Sequence, residues 1–230
     1  MVKPILRLGN DIVDLSVPRT QLKHLEHNFF RFLDRVFAPI EKTYILNAVC
    51  KPKILWAIWA AKEASYKALK KQFPQLIFSH NQFIVTKDTL NELQKLHFNN
   101  NIIGKLLYNK QLLTLNWQYN INFVHCIAVL NNKIFNNWEI IHYNITEDSE
   151  NLNISNIKKY FTTRELISIY SEQSLKTRFY AKQFLKSIDF EDNIEIIRSN
   201  SPPALFVGEK QLDNEISLSH DGKFMAICCC

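Results

Sequence analysis

The sequence predicts an α+β protein made of two similar halves, each with helices and an antiparallel sheet. A strand, then helices, then several short β-like runs follow one another along the chain. This order of elements occurs twice within the 230 residues, and an asparagine-rich break at 131–137 separates the two runs. We therefore predict a first half over residues 1–135 and a second half over residues 136–230, related by a pseudo-twofold.

The first half opens with a β-compatible run that begins at Ile5 and ends near Asp11. Helices are predicted over Phe29–Val36 and from Pro39, because proline suits the first turn of a helix. The strongest helical pattern covers Ile54–Lys71, where alanines at 57, 61, 64 and 68 form a stripe that allows close packing. The short strands predicted after it are Gln82–Val85, Gly104–Tyr108, Leu112–Trp117 and Phe123–Leu130.

The second half is predicted to begin with a strand over Trp138–Ile145. Thr162 and Glu165 have the spacing of a capping box, which opens a helix reaching about Tyr170. The remaining predicted elements are a helix over Leu175–Ile188 and strands over Leu205–Val207, Ile216–Ser219 and Phe224–Cys230.

Short segments of the two halves also correspond in sequence. Phe161 and Glu165 repeat the spacing of Phe37 and Glu41, and Ala181-Lys182-Gln183 repeats Ala61-Lys62-Glu63 with glutamine in the last place. We interpret the repetition as an internal duplication whose copies have diverged.

Composition excludes several kinds of protein. Only four glycines occur, at 9, 104, 208 and 222, so neither glycine-rich nucleotide-binding motif can be written. The N-terminal residues lack the apolar run of a signal peptide, and no stretch approaches the ~20 apolar residues of a membrane span. The five cysteines include no CxxC pair, which indicates reduced thiols rather than disulfides or zinc. We expect a cytoplasmic protein with no membrane partner.

The positive charge is concentrated in the first half. Residues 1–135 hold 18 Lys and Arg against 8 Asp and Glu, whereas residues 136–230 hold 10 against 14. This asymmetry favours an anionic partner for the first half, namely nucleic acid, a membrane surface, a phosphorylated small molecule or an acidic protein. A basic surface without any partner is the alternative.

Two carboxylates are candidate metal ligands. Asp11 follows a predicted strand, and Glu63 projects from the long helix. Carboxylates from two elements can hold Mg²⁺ while water and phosphates take its remaining positions. Alternatively, Glu63 pairs with Lys67 one turn later on a solvated face. Trp59 could stack on an adenine or cover a pantetheine arm, and Lys62 belongs to a lysine run that is either a basic patch or only a solvated face.

The segment Ser219-His220-Asp221-Gly222 ends a predicted strand at a tight turn. Successive strand residues alternate between faces, so its serine, histidine and aspartate cannot form a catalytic triad together. We expect His220 to contact a phosphate or hydroxyl group, and a turn residue satisfied by the backbone is the alternative.

Three segments together resemble the 4′-phosphopantetheinyl transferase superfamily: GNDIVDL at 9–15, WAAKEASYK at 59–67 and SLSHDGKFMAI at 217–227. The signatures of that superfamily are a G-x-D-I strand, a (W/F)-x-x-K-E-x-x-x-K helix and an S-H-(D/S)-G turn. Its long, Sfp-type form is a pseudo-dimer of similar halves, and here the order of the halves is reversed. GNDIVDL is closer to the short, trimeric holo-acyl-carrier-protein synthases, and Val13 stands where Sfp-type enzymes often carry a second acid. The resemblance leaves the role of the next acid, Asp14, open.

The resemblance implies Mg²⁺-dependent transfer of 4′-phosphopantetheine from coenzyme A to a serine of an acidic acyl or peptidyl carrier protein, by a monomer. It implies that Asp11 and Glu63 bind Mg²⁺, that Lys67 binds phosphate and that Glu63 is the base. The residues implied or considered as coenzyme A contacts are Trp59, Lys62, Lys67, Arg178, Ser219 and His220, with Arg164 and Lys176 as further candidates for the 3′-phosphate.

Two other functions are compatible with the same sequence. A nucleic-acid-binding module would explain the lysine-rich helix and its interleaved aromatics, but it leaves the two carboxylates and the SHDG turn without a role. A catalytically inactive relative that still binds a carrier protein is the other alternative. Under the transferase hypothesis no nucleic-acid partner is expected.

Overall fold

The computed structural model describes residues 6–21, 28–95, 101–130, 137–148, 152–198 and 202–230. The predicted boundary between the halves, at residue 135, lies outside these ranges.

A five-stranded antiparallel sheet forms the body of the first half, in the order β1-β5-β4-β3-β2. Its inner face packs on the long helix α3 and on three shorter helices to form the largest hydrophobic core of the described residues. The strands are β1 (Arg7–Asp14), β2 (Phe83–Val85), β3 (Asn101–Tyr108), β4 (Gln111–Tyr119) and β5 (Phe123–Leu130). The helices are α1 (Phe29–Val36), α2 (Pro39–Leu46), α3 (Lys51–Gln72) and α4 (Lys87–Gln94).

The second half has two small antiparallel sheets that share one core with a long helix. One sheet has the strand order β10-β11-β6 and the other has the order β7-β8-β9. The strands are β6 (His142–Glu147), β7 (Ile194–Ile197), β8 (Ala204–Val207), β9 (Lys210–Gln211), β10 (Ile216–Asp221) and β11 (Phe224–Cys229). The helices are α5 (Ile154–Lys158), α6 (Thr163–Ile167) and α7 (Glu172–Ser187), and α7 contributes Ala181 and Leu185 to a core shared with both sheets.

The structure confirms the α+β class and corrects several predicted boundaries. The predicted strand from Trp138 begins instead as a 3-10 turn, and the strand starts at His142. The helix opened by the Thr162 capping box ends at Ile167, because the Ser168 hydroxyl donates to the carbonyl of the preceding turn. The sequence patterns did not predict α4, α5 and β7.

Strand β1 is buried on both faces, with a different neighbour on each. Gly9, Asp11 and Val13 face α3, whereas Leu8, Asn10, Ile12 and Asp14 face the second half. Successive side chains of a strand alternate between faces, so eight residues serve two interfaces. The position of Val13 in the α3 core explains why no second acid stands there.

The approach of β1 to α3 is too close for a side chain at Gly9. A Cβ atom there would lie 2.0 Å from the carbonyl oxygen of Ala64 and 2.6 Å from the amide nitrogen of Ala68. The alanine stripe predicted from the sequence is fully buried at this contact. Because neither β1 nor α3 has a bulky side chain at this contact, the next residues of β1 lie close to the helix, and Asp11 comes within reach of it.

A buried ion pair joins α2, α3 and β2 in the first half. The Glu41 carboxylate lies 2.6 Å from the Lys62 ammonium, and both side chains are fully buried. The same carboxylate accepts hydrogen bonds from the Ala38 and Val85 amides, at 2.8 and 2.9 Å. The ammonium also lies 5.7 Å from the centre of the Phe37 ring. One carboxylate thus caps a helix, holds a strand and neutralises a buried lysine.

The second half repeats these contacts at the corresponding positions. Glu165 accepts from the Thr162 and Ile196 amides, at 3.0 and 2.9 Å, and lies 2.9 Å from the Lys182 ammonium. That ammonium lies 5.2 Å from the centre of the Phe161 ring. The repetition supports the duplication hypothesis, and the pseudo-twofold itself stays a prediction.

Candidate active site

A cleft of about 350 Å³ lies between the two halves. Helix α3 forms one wall, and α7, β10 and the segments flanking 199–201 form the other. The charged and titratable side chains that line it are Glu63, Lys67, Lys70, Arg178, Arg198 and His220. Residues 63, 67 and 70 recur at the spacing of one helix face, which is why they share the cleft.

Cationic groups outnumber carboxylates in this cleft. Burial lowers the pKa of the Arg178 guanidinium, and the positive charge of nearby Arg198 acts in the same direction. Partial burial of the ring lowers the pKa of His220, and the charges of Lys67 and Arg178 add to this effect. Like charges held close together are stabilised by an anion between them, so the cleft is suited to a multiply charged anionic ligand.

Lys67 connects the cleft to Asp11, which lies behind it. The Lys67 ammonium donates to the Asp11 carboxylate at 2.8 Å and to the Asn10 carbonyl at 2.9 Å. Glu63 instead lies 3.5 Å from the ring nitrogen Nε2 of His80. The alternative in which Glu63 pairs with Lys67 is therefore wrong.

The Asp11 carboxyl is held in an environment that disfavours its negative charge. Burial raises its pKa to about 6, the charge of Glu63 acts in the same direction and that of Lys67 opposes it. A divalent cation between the two carboxylates would relieve both effects. Within the described ranges, no group of three His, Cys, Asp or Glu side chains could hold a metal. Mg²⁺ takes most of its ligands from water and substrate, so two protein carboxylates are a donor set that suits it.

Three of the expected coenzyme A contacts do not reach the cleft. Lys62 is fully buried in its pair with Glu41, because it lies 100° around the helix from Glu63. Trp59 stacks on Phe32 with ring centres 5.8 Å apart. Ser219 lies on the opposite strand face from the exposed His220, and its side chain is 5% exposed.

The two further candidates for the 3′-phosphate are also engaged elsewhere. Arg164 donates to the Gly208 carbonyl at 2.7 Å, outside the cleft. Lys176 forms ion pairs with Asp148 and Glu172, at 2.9 and 3.1 Å. Arg198, which follows the unpredicted strand β7, lines the cleft in their place. A prediction of that strand would have marked the arginine at its end.

The lysine run of α3 does not form an open basic stripe. Lys70 donates to the Leu76 carbonyl at 2.8 Å. Lys71 donates to the Glu215 carboxylate and to the Ile216 carbonyl, both at 2.7 Å. Lys62 and Lys67 of the same run are also paired, with Glu41 and Asp11. The helix therefore lacks a row of free ammonium groups that could follow a nucleic-acid backbone.

The sequence of the first half decides the family. Residues 7–120, about half of the chain, match the family model of the 4′-phosphopantetheinyl transferase superfamily. The chain belongs to this superfamily. The match contains Asp11, Glu63 and Lys67, and the second half that supplies His220 lies beyond it.

Solved structures of two superfamily enzymes resemble the chain at a distance. The holo-[acyl-carrier-protein] synthase of Neisseria meningitidis is 18% identical over 54% of this chain and 96% of its own, with a TM-score of 0.37. The holo-[acyl-carrier-protein] synthase of Thermotoga maritima is 18% identical over 69% of this chain and 76% of its own, with a TM-score of 0.38. Likeness at this level supports no inference about individual residues. No curated protein matches the sequence. None of the helices in the described ranges has the length and apolar character needed to cross a membrane.

Proposed function

We propose that the protein transfers 4′-phosphopantetheine from coenzyme A to a serine of an acidic acyl or peptidyl carrier protein. The observation that carries this proposal is the cleft, which brings Glu63 and Lys67 of the first half together with Arg178, Arg198 and His220 of the second. Coenzyme A carries a pyrophosphate and a 3′-phosphate, and cations from both halves match this distribution of negative charge.

In the proposed reaction, the serine oxygen attacks the phosphorus atom attached to pantetheine. The new oxygen–phosphorus bond forms as the bond to the second phosphate breaks, and adenosine 3′,5′-bisphosphate leaves. Glu63, whose side chain is 23% exposed in the cleft, accepts the serine proton. Lys67 donates hydrogen bonds to the phosphate under attack, and His220 holds the nucleotide end.

Asp11 and Glu63 are the residues that would hold Mg²⁺. When bound there, the ion supplies charge neutralisation for the pyrophosphate. Lys67, which lies 2.8 Å from the Asp11 carboxylate, would bind the substrate phosphate beside these two carboxylates.

The basic first half is the proposed docking side for the carrier protein. It holds 18 Lys and Arg against 8 Asp and Glu, and this positive charge would attract an acidic partner and raise the rate of encounter. The nucleic-acid alternative has lost the feature that favoured it, since the lysine run is paired internally.

The test is incubation of the protein with coenzyme A, Mg²⁺ and a panel of apo acyl and peptidyl carrier proteins. Mass spectrometry should detect a phosphopantetheine adduct on the serine of at least one carrier, and chelation of the metal should abolish it. Glu63→Gln keeps the shape of the side chain and should lose transfer. If no carrier on the panel is modified, the protein is not a transferase of this kind, and carrier binding without transfer would favour the inactive relative.

A further inference from the structure

One contact between the two halves outside the cleft joins the end of β1 to the turn between β10 and β11. The Asp14 carboxylate, 1% exposed, accepts a hydrogen bond at 3.1 Å from the amide of Lys223 in that turn. In return, the Asp14 amide donates at 2.8 Å to the carboxylate of Asp221, the last residue of β10. Each of the two aspartates therefore holds a backbone amide of the other half: Asp14 that of Lys223, and Asp221 that of Asp14.

Both carboxylates are fully engaged in this arrangement. The other oxygen of Asp14 accepts from the amide and the hydroxyl of Ser16, at 2.8 and 2.5 Å. The other oxygen of Asp221 accepts from the Arg19 guanidinium. These three hydrogen bonds satisfy both oxygens of the buried Asp14 carboxylate and give it a structural role without a metal ion.

Gly222 presses the turn onto this link. Its φ of +53° lies in the left-handed region, and a Cβ atom there would lie 2.1 Å from a carboxylate oxygen of Asp14. Glycine is required at this position both by the backbone conformation and by the space that the carboxylate occupies.

The link is close along the chain to the candidate site residues of both halves. Asp14 comes three residues after Asp11 on β1, and Asp221 directly follows His220 on β10. A shift of the β10–β11 turn relative to the end of β1 would therefore move His220 relative to Asp11 and Lys67. We propose that Asp14 and Asp221 are positioning residues that hold His220 at the distance from the first half at which coenzyme A fits the cleft. This inference rests on the proposed function.

The test is steady-state kinetics with Asp14→Ala. Loss of a contact made equally in the ground state and the transition state raises KM and leaves kcat unchanged. We expect the KM for coenzyme A to rise on the order of tenfold, with the KM for the carrier protein and kcat within about twofold of the parent. Partial unfolding would do the opposite, since fewer active molecules lower the apparent kcat and leave KM alone. That second pattern would overturn the proposal.

Ser16→Ala is the matched control, because it removes one donor to the same carboxylate within the first half and leaves the turn attached. It should leave the KM for coenzyme A within about twofold of the parent value. An equal rise in KM for Ser16→Ala and Asp14→Ala would show that the link to the second half is not what matters.

A double-mutant cycle keeps the proposal testable if single variants fold poorly. Gly222→Ala should raise the KM for coenzyme A because its new methyl group displaces the Asp14 carboxylate. In the double variant with Asp14→Ala the clash with the carboxylate is removed, whereas the close approach to the Cβ of residue 14 and the positive φ remain, so the rise in KM should be smaller than the product of the two single effects. If the KM of the double variant rose by the full product of the two single effects, the two residues would not act through a shared link.

Direct binding separates this inference from the proposed function. Calorimetric titration of the parent protein with coenzyme A requires no turnover. If the parent does not bind coenzyme A, the proposed function fails. If the parent binds and Asp14→Ala binds equally well, the proposed function stands and the positioning role is wrong.

Discussion

Arg198 is a basic side chain of the cleft that was not predicted from the sequence, and its contribution can be separated from that of the other cations. It shares the cleft with Arg178, whereas Arg164 lies outside it in contact with Gly208. Position in the cleft, rather than charge alone, therefore distinguishes the three arginines of the second half.

We predict that Arg198→Ala raises the KM for coenzyme A by about tenfold or more, since a charge-assisted hydrogen bond to phosphate is worth roughly 1.5–3 kcal/mol. Arg164→Ala is the matched control and should leave KM unchanged. Kinetics with dephospho-coenzyme A, which lacks the 3′-phosphate, locate the contact. If Arg198→Ala affects both substrates equally, Arg198 does not bind the 3′-phosphate.

His125 links protein stability to pH. The ring is fully buried between Asn10 and the second half, and burial lowers its pKa to about 3, below the unfolded value of 6.5. The unfolded state therefore binds a proton between these pH values and the folded state does not. The stability that His125 confers is complete above about pH 6.5 and is lost as the pH falls towards 3.

We predict that the free energy of unfolding falls more steeply with acid in the parent than in His125→Gln, by roughly 1.4 kcal/mol per pH unit below about pH 6. The raised pKa of Asp11 acts in the opposite direction between about 4 and 6, but it is present in both proteins. Urea unfolding at pH 7 and pH 5 measures the difference. Parallel pH profiles would show that His125 is not the linked group.

At the scale of the element, α3 shows how far the sequence could predict the site. The motif marked residues 63 and 67, which lie one turn apart on the cleft face. It also marked Lys62, which points elsewhere because each residue rotates the side chain by 100° around the helix axis. Trp59 shares the face of Glu63 and Lys67, but it lies one turn earlier and stacks on Phe32 outside the cleft. Motif membership locates an element, and periodicity decides which of its side chains reach the ligand.

Strand alternation likewise accounts for the burial of Ser219. Neighbouring side chains of a strand point to opposite faces, so Ser219 and His220 do not point the same way. Arg198 could not be predicted, because its place depends on the packing of the second half against α3. The element order and the alanine stripe were predictable because they are properties of short stretches of sequence. Boundaries such as the end of α6, where the Ser168 hydroxyl donates to the Glu165 carbonyl three residues earlier, were not.

Removal of Lys62 should destabilise the fold rather than weaken substrate binding. Lys62→Ala leaves the buried Glu41 carboxylate without its partner, at a cost of about 3–5 kcal/mol. Chemical denaturation measures the loss. The control is Lys42→Ala, since the exposed pair of Lys42 with Asp34 is worth about 0–1 kcal/mol. If a Lys62 variant kept the parental stability but bound coenzyme A more weakly, Lys62 would instead belong to the binding site.

For the whole molecule, one chain supplies both walls of the cleft. Glu63 and Lys67 come from one half and His220 from the other, so no residue of a second copy is needed. We therefore predict that the protein is active as a monomer.

Light scattering during size-exclusion chromatography should give a mass close to 27.1 kDa at the concentrations used for the activity assay. The specific activity should not change on dilution, because no subunit dissociates. A mass of two or three chains, together with loss of activity on dilution, would contradict the prediction.

The two-sided strand β1 has a consequence for how the sequence can vary. A single inserted or deleted residue would exchange its two faces, so that Asp11 would point to the second half and Ile12 to α3. Substitutions at one position alter one contact, but a change in length by one alters all of them together. Among homologues of this chain, we expect the spacing between Gly9 and Asp14 to be invariant, even where the residues between them differ.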